Sequence, residues 1–347
     1  MKKVKFFVKL ISLLAVAALL LYVLNSVYVR GYYYNDIYGE VKKFQTEIPY
    51  GIRICNFGSS HGLASFKYED RSDAFNFALS GEDLYHNYAK LQQYADHLEE
   101  GCAVFLPVSY FSFCTDTKAP SDKRYYMFLE KKYIKGYSLE TYLNVRYFPV
   151  LRSGDGLLKD MVNEDEMAAL FNEDNPLENN IGRAFSDLYA NRTGYLSASQ
   201  TASLNPENAY NSDYYPQDSE LYDFSDLRSK SWHSQFNRFN IYMDENVEIL
   251  TDMVEFCMRH NFMPILVSTP INHVLNDMFT DEELQVYFYG NIEKVRSETG
   301  VEFWDYSHDP AFSDNNGYFS NADHFNSQGG KAFTEEIMKR LDGFDRK

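Results

Sequence analysis

The residues with the clearest chemical potential stand at opposite ends of the chain. Near the start, Asn56-Phe57-Gly58-Ser59-Ser60-His61-Gly62 follows a short apolar run. A Ser on a strand-to-helix turn exposes its hydroxyl at the carboxyl edge of a sheet, and small flanking residues let a substrate reach the backbone. The start of the following helix offers N–H groups to an oxyanion. Near the other end, Asp305-Tyr306-Ser307-His308 follows the last strand-like run. Then Phe319-Ser320-Asn321-Ala322-Asp323-His324-Phe325-Asn326 leads into the last helical segment. A His in that loop can fold back over the first turn and take the proton from Ser60 as a general base. The chemistry of such a pair is acyl transfer through a serine ester.

Bringing two ends of a chain together requires a layered frame. Short, continuous apolar runs predict strands buried on both faces of a parallel sheet: Ile52 to Phe57, Ala74 to Leu79, Ala103 to Val108, Met263 to Ser268 and Val301 to Trp304. Helical spacing predicts helices over Leu84 to Leu98, Asn246 to Met258, Asp281 to Ser297 and Lys331 to Leu341. The alternation predicts an α/β three-layer sandwich around a five-stranded, mainly parallel sheet with right-handed crossovers. The third and fourth runs are far apart. The stretch between, about 115–237, is rich in Tyr, Asn, Asp and Ser, with helix-like pieces over Arg124 to Lys132 and Glu164 to Phe171. It reads as a partly helical insertion over the sheet's carboxyl edge, where ligands of open α/β sheets bind.

The first thirty residues have a different character. Lys2, Lys3, Lys5 and Lys9 precede an uncharged run from Leu10 to Val29. Twenty residues at about 1.5 Å each cross a hydrocarbon core of about 30 Å. The basic end stays cytoplasmic, which sends everything after Arg30 outside. A cleaved signal peptide is the rival, but the Ala-x-Ala at Ala15 to Ala17 lies inside the apolar run, which favours an uncleaved anchor. The predicted organisation is therefore an anchor over 1–30 and an extracytoplasmic domain over 31–347. Tyr28, Tyr32, Tyr33 and Tyr34 then fall at the outer interface, where aromatic belts sit.

The two end motifs together resemble the SGNH (GDSL-like) hydrolase superfamily, whose first block reads Gly-Asp-Ser and whose last reads Asp-x-x-His. Gly58-Ser59-Ser60 stands at the first block, with Ser in place of Asp, and His324 stands at the last. The Gly-Ser-Ser variant and the N-terminal anchor are most similar to the DltD-like branch, which serves D-alanyl transfer in lipoteichoic acid assembly; alginate acetylation proteins are more distant likenesses. The resemblance covers about 55–120 and 240–345. It implies that Ser60 is the nucleophile and His324 the base. It also implies an oxyanion glycine at Gly81, within Leu79-Ser80-Gly81. The family's oxyanion Asn has no counterpart after the third strand, where Val108-Ser109-Tyr110 stands, so Ser109 or the Ser60 N–H serves instead. Three residues before His324 stands Asn321 rather than Asp. In a serine protease that change costs about 10⁴ in turnover, because the amide favours the wrong tautomer. Asp323 or Asp305 is expected to orient the His in its place, or Ser60 and His324 act as a dyad.

The implied function is that of a membrane-anchored extracytoplasmic serine esterase or O-acyltransferase acting on a cell-envelope polysaccharide or teichoic acid. The alternative is a non-catalytic binding or assembly protein on the same fold. A transferase would draw acyl groups from a membrane partner that delivers them outward.

Composition narrows the remaining possibilities. The 50 acidic and 33 basic residues give a net charge of −17, which argues against nucleic acid as a partner. Five of the bases precede the exported part, leaving it at −22. The aromatic fraction of 17%, with 29 Tyr and 27 Phe, suits either a half-wet polymer groove or cores filled with rings. His61 reads as a solvent-facing loop residue, with polarising the turn or meeting substrate as alternatives. His308 reads either as part of the site or as a turn residue before Asp309-Pro310. No His pair has metal-ligand spacing and no P-loop is present, so neither metal nor cofactor is expected. Cys55 and Cys102 lie in apolar runs and read as buried thiols.

Overall fold

The computed structural model describes residues 2–28, 39–44, 48–69, 71–147, 239–321 and 323–344. Most of the predicted insertion, including its tyrosines beyond 147, therefore lies outside the described residues, as do Tyr32 to Tyr34. The chain divides into two units, Met1–Glu47 with Pro120–Ser203, and Ile48–Ala119 with Leu204–Lys347.

In the first unit, α1 (Lys2–Tyr28) carries an apolar span over Val4–Ser26 with a mean hydropathy of 2.5, none of it buried. It is long and apolar enough to cross a membrane or to act as a signal sequence. Phe44 stacks on Phe128 with ring centroids 4.4 Å apart. A short helix is capped by the Ser138 hydroxyl, which accepts the Thr141 N–H. Two single 3-10 turns, Tyr125–Met127 and Lys131–Tyr133, stand where a helix over Arg124 to Lys132 is predicted.

The second unit is built on a sheet of five strands, β1 (Ile52–Asn56), β2 (Ala74–Asn76), β3 (Leu98–Val108), β4 (Met263–Ser268) and β5 (Glu302–Asp305). Their spatial order is β2-β1-β3-β4-β5, and every pairing is parallel, a purer pattern than the mainly parallel sheet expected. Such an order reverses direction at the β1/β3 boundary, and the crevice outside the carboxyl ends there is where open α/β sheets bind ligands. Both faces are covered, which is why the strands read as unbroken apolar runs. On one face lie α2 (Ser60–Ser65) and, at the chain's end, a long helix over Ser327–Asp342 that packs on it. On the other lie α3 (Leu84–Tyr94) and helices over Met243–Arg259 and Gly290–Thr299. Numbered along the chain, the helix over Leu139–Arg146 in the first unit is α4, and the three longer helices that follow in the second unit are α5 (Met243–Arg259), α6 (Gly290–Thr299) and α7 (Ser327–Asp342).

The predicted helix over Leu84 to Leu98 ends early. Leu98 pairs with Ile52 as the first residue of β3, and Gly101 takes a φ of +76° where the register shifts. The predicted helix over Asp281 to Ser297 is interrupted by a π stretch, Gln285–Tyr289.

Beneath α7 the core is aromatic. Phe333 of α7 meets Phe66, Tyr306, Phe312 and Phe325 at ring distances of 5.3 to 5.8 Å. Phe66 follows α2, and Phe325 belongs to a small hairpin of β6 (Phe319–Asn321) and β7 (His324–Phe325). One buried ring thus binds the helix that starts at Ser60 to the hairpin that carries His324. Removing such a ring typically costs about 3–5 kcal/mol. Part of the phenylalanine surplus is therefore core. The four cysteines are all buried and none is in a disulfide, with the Sγ atoms of Cys55 and Cys102 3.9 Å apart.

Candidate active site

Ser60 opens α2 directly after the β1 turn. The turn is shaped by two glycines. Gly58 has a φ of +128°, a conformation that L side chains rarely adopt. At Gly62 a Cβ would lie 2.9 Å from the Phe57 carbonyl and 3.2 Å from Pro107, so only glycine lets α2 sit this close to β1 and β3. Side-chain amides lace the same corner. Asn56 Nδ2 donates to Asn76 Oδ1 at 3.0 Å and to the Gly62 carbonyl at 3.2 Å, and the buried Asn87 Oδ1 accepts the Gly58 N–H at 2.6 Å. The Gly58 N–H is thereby withdrawn from any substrate.

His324 opens β7 and reaches Ser60 through the docking of α7 on α2. A Cβ on Gly330 would lie 2.3 Å from the Ala64 carbonyl, and one on Gly329 2.2 Å from the Tyr318 carbonyl. The Thr334 hydroxyl accepts the Lys67 N–H at 2.8 Å, within reach of the Ser65 carbonyl at 3.1 Å. Across this joint, His324 Nε2 lies 2.6 Å from Ser60 Oγ, and its Nδ1 lies 2.7 Å from Asp323 Oδ1. An ionised carboxylate only accepts, so Nδ1 carries the proton and Nε2 is left to accept from the serine.

A second imidazole completes the arrangement. His61 is buried, not solvent-facing, and stacks on His324 with centroids 4.6 Å apart and planes inclined by 12°. Its Nε2 donates to Asp323 Oδ2 at 3.2 Å, and its Nδ1 faces the Ser59 hydroxyl at 3.2 Å. Asp323 is thus shared by two rings. Burial raises its pKa, but the charge and hydrogen bonds of His324, joined by those of His61, win and hold it well below the ordinary carboxylate range. Burial lowers the pKa of His61 despite the hydrogen bond to Asp323, so this ring stays neutral. His324 is also buried, yet the Asp323 charge outweighs that and raises its pKa.

The other candidates fall elsewhere. Asp305 spends its carboxylate at the end of β5, accepting from Ser307 Oγ at 2.6 Å, the Ser307 N–H at 2.9 Å and Tyr289 at 3.0 Å. It therefore does not replace Asp323. His308, an exposed residue, contacts Ser307 Oγ at 3.0 Å and the Tyr110 hydroxyl at 3.4 Å. The turn after it is capped by Asp309 itself, which accepts the Ala311 N–H. Asn321 pairs in register with His324 across the hairpin. Ser109 directly follows β3; its N–H donates to Ser112 Oγ at 2.8 Å, and its hydroxyl lies 3.4 Å from the same oxygen. Gly81 has a φ of +62° between β2 and α3, with open space where a Cβ would be. Beside it, the fully buried Glu82 and Lys90 form an ion pair, and Lys90 also donates to the Phe77 carbonyl.

No protein-family model matches this chain, and no curated protein matches it either.

The chemistry of the site therefore rests on its geometry. His61, Asp323 and His324 also offer donor atoms within 4.8 Å of one another, a set that could hold a metal ion by residue type. The stacked rings make a poor chelate. Both of the nitrogens that face Asp323 are spent as donors to it, and nearly parallel rings aim their lone pairs side by side rather than at one point. A cavity of about 540 Å³ at the opposite edge of the sheet, lined by Arg53, Glu100, Asn261 and Glu302, shares no residue with this cluster.

Proposed function

We propose that the protein is a membrane-anchored, extracytoplasmic serine esterase or O-acyltransferase of the SGNH type. We further propose that it acts on a cell-envelope polysaccharide or teichoic acid. The observation that carries the reading is the linear relay Ser60–His324–Asp323, with contacts of 2.6 and 2.7 Å, at the carboxyl end of β1. Ser60 is half-buried rather than sealed in the core.

In the proposed reaction, Ser60 Oγ attacks the acyl carbonyl while His324 Nε2 takes its proton. The proton passes to the departing alkoxide and the acyl group stays on Ser60 as an ester. A second hydroxyl, from a sugar or from water, then gives its proton to Nε2 and attacks that ester, which frees Ser60. Asp323 keeps the proton of the imidazole on Nδ1 and stabilises the imidazolium formed in each half-reaction. Gly81, the Ser109 hydroxyl and the Ser60 N–H are the donors assigned to the oxyanion. The anchor α1 would hold this site near the membrane face where envelope polymers are assembled, and a transferase would receive acyl groups from a membrane partner.

Treating the full chain in detergent with a fluorophosphonate tests the assignment. Stoichiometric labelling that Ser60→Ala abolishes is expected. A correctly folded chain that takes no label would overturn the enzyme in favour of an inert binding protein on the same fold.

A further inference from the structure

Outside α1, seven large apolar side chains are exposed among the described residues, and three of them, Leu139, Leu143 and Tyr147, fall within one stretch of nine. They belong to α4 and its C-cap. A spacing of four places them on one side of the helix. Val145, on the opposite side, is buried, and Arg146 at the flank of the stripe pins the helix through Nε, which donates to the Tyr126 carbonyl at 2.8 Å. An apolar stripe left open on a fixed helix needs an occupant.

Two observations identify it. The first is position. Asn25 Nδ2 donates to the Tyr147 carbonyl at 3.0 Å, and Asn25 is the penultimate residue of the apolar span Val4–Ser26. The end of α4 therefore sits level with the end of that span. The second is charge. Residues 120–147 hold six basic and three acidic side chains in a chain whose net charge is −17. The bases lie among tyrosines: Lys131 over Tyr137 at 4.7 Å, Lys132 over Tyr133 at 4.7 Å and Arg146 over Tyr142 at 5.3 Å. Tyrosine rings with adjacent Lys and Arg suit the headgroup layer, where one end of each side chain is apolar and the other wet.

We propose that α4 is a second membrane contact. Leu139, Leu143 and Tyr147 enter the outer leaflet beside α1, and Lys131 and Lys132 face anionic headgroups. The inference rests on the reading of α1 as a membrane anchor. It adds that this unit is held down along a face rather than tethered at one point.

The test uses the full chain reconstituted in phosphatidylcholine–phosphatidylglycerol vesicles that carry a doxyl-labelled lipid. An environment-sensitive fluorophore is placed singly through Leu13→Cys, Leu143→Cys or Glu248→Cys; the native cysteines are all buried. The expected result is blue-shifted, lipid-quenched emission at positions 13 and 143, and water-like, unquenched emission at 248. Quenching at 143 should rise with the phosphatidylglycerol fraction and fall in a Lys131→Glu/Lys132→Glu background, with position 13 unchanged. Quenching at 13 without quenching at 143 would overturn the proposal and leave the anchor standing. No quenching at 13 would overturn both. A blue shift at 143 without lipid quenching would assign the stripe to a protein partner or a second copy, which also overturns it.

Discussion

His324 Nε2 lies 2.6 Å from Ser60 Oγ although 264 residues separate the two in the chain. What closes that gap is a helix joint of bare backbone. Gly330 lets α7 approach the Ala64 carbonyl of α2, where an added Cβ would stand 2.3 Å away. The carbonyl is main chain and cannot swing aside. Gly330→Ala is therefore expected to push the β6–β7 hairpin outward and lengthen the serine–imidazole contact. A displacement of about 1 Å at a reacting pair costs on the order of 10² in rate. The rate of fluorophosphonate labelling should fall by that factor, with a lowered melting temperature. Labelling at the wild-type rate would show that the joint does not set the contact.

Asp323 is the carboxylate that holds the tautomer of His324, through a contact of 2.7 Å to Nδ1. Asp323→Asn should lower kcat/KM for a chromogenic ester by about 10³–10⁴, because an amide can present its NH₂ to Nδ1 and stabilise the wrong tautomer. Asp305→Asn should leave kcat/KM within about threefold of wild type, since Asp305 is bonded to Ser307 and Tyr289. Equal losses in the two variants would return the role to an open choice.

The pH dependence follows from the same carboxylate. His324 must be neutral to accept the Ser60 proton, and its pKa is raised above the ordinary 6.5 because Asp323 outweighs burial. Activity should thus rise with pH through a midpoint above that value. The linkage to stability runs the other way. The charged pair stabilises the fold fully below 6.5 and is lost as pH rises through the raised pKa of His324. His61→Phe keeps a stacking ring but removes a donor from Asp323. With more charge on the carboxylate, the midpoint of the rate profile should move further up. A fall in rate at every pH with the midpoint unmoved would make His61 merely structural.

Much of this frame is legible in the sequence because its signals are local. Apolar runs such as Ile52 to Phe57 mark strands buried on both faces, and a Ser after Gly58 marks an exposed turn. The partner at His324 is legible only as a likeness at the far end. Where reading failed, long-range packing decided. His61 looks like a loop residue since nothing near it in sequence predicts a carboxylate 262 positions away. The choice between Asp305 and Asp323 stays open in the sequence because both stand close to strand ends; only the hairpin, which aims Asp323 along the His324 ring, distinguishes them. Asn87 gives no signal beyond helical spacing, yet it fixes the Gly58 N–H. The Leu84 to Leu98 helix is overrun because Leu98 suits a strand as well as a helix.

The buried Glu82–Lys90 pair offers the sharpest separation of stability from chemistry. Both side chains are fully buried, and they brace the loop that carries Gly81. Removing one partner strands a charge away from water, which typically costs about 3–5 kcal/mol, whereas replacing both with apolar groups of similar volume is close to neutral. Lys90→Met should accordingly melt well below wild type, and Glu82→Leu/Lys90→Met should recover most of the loss. If Gly81 donates to the oxyanion, the double variant will still show reduced kcat despite its recovered stability, because its loop has lost the brace. A double variant that recovers stability and kcat together would remove the Gly81 loop from the catalytic machinery.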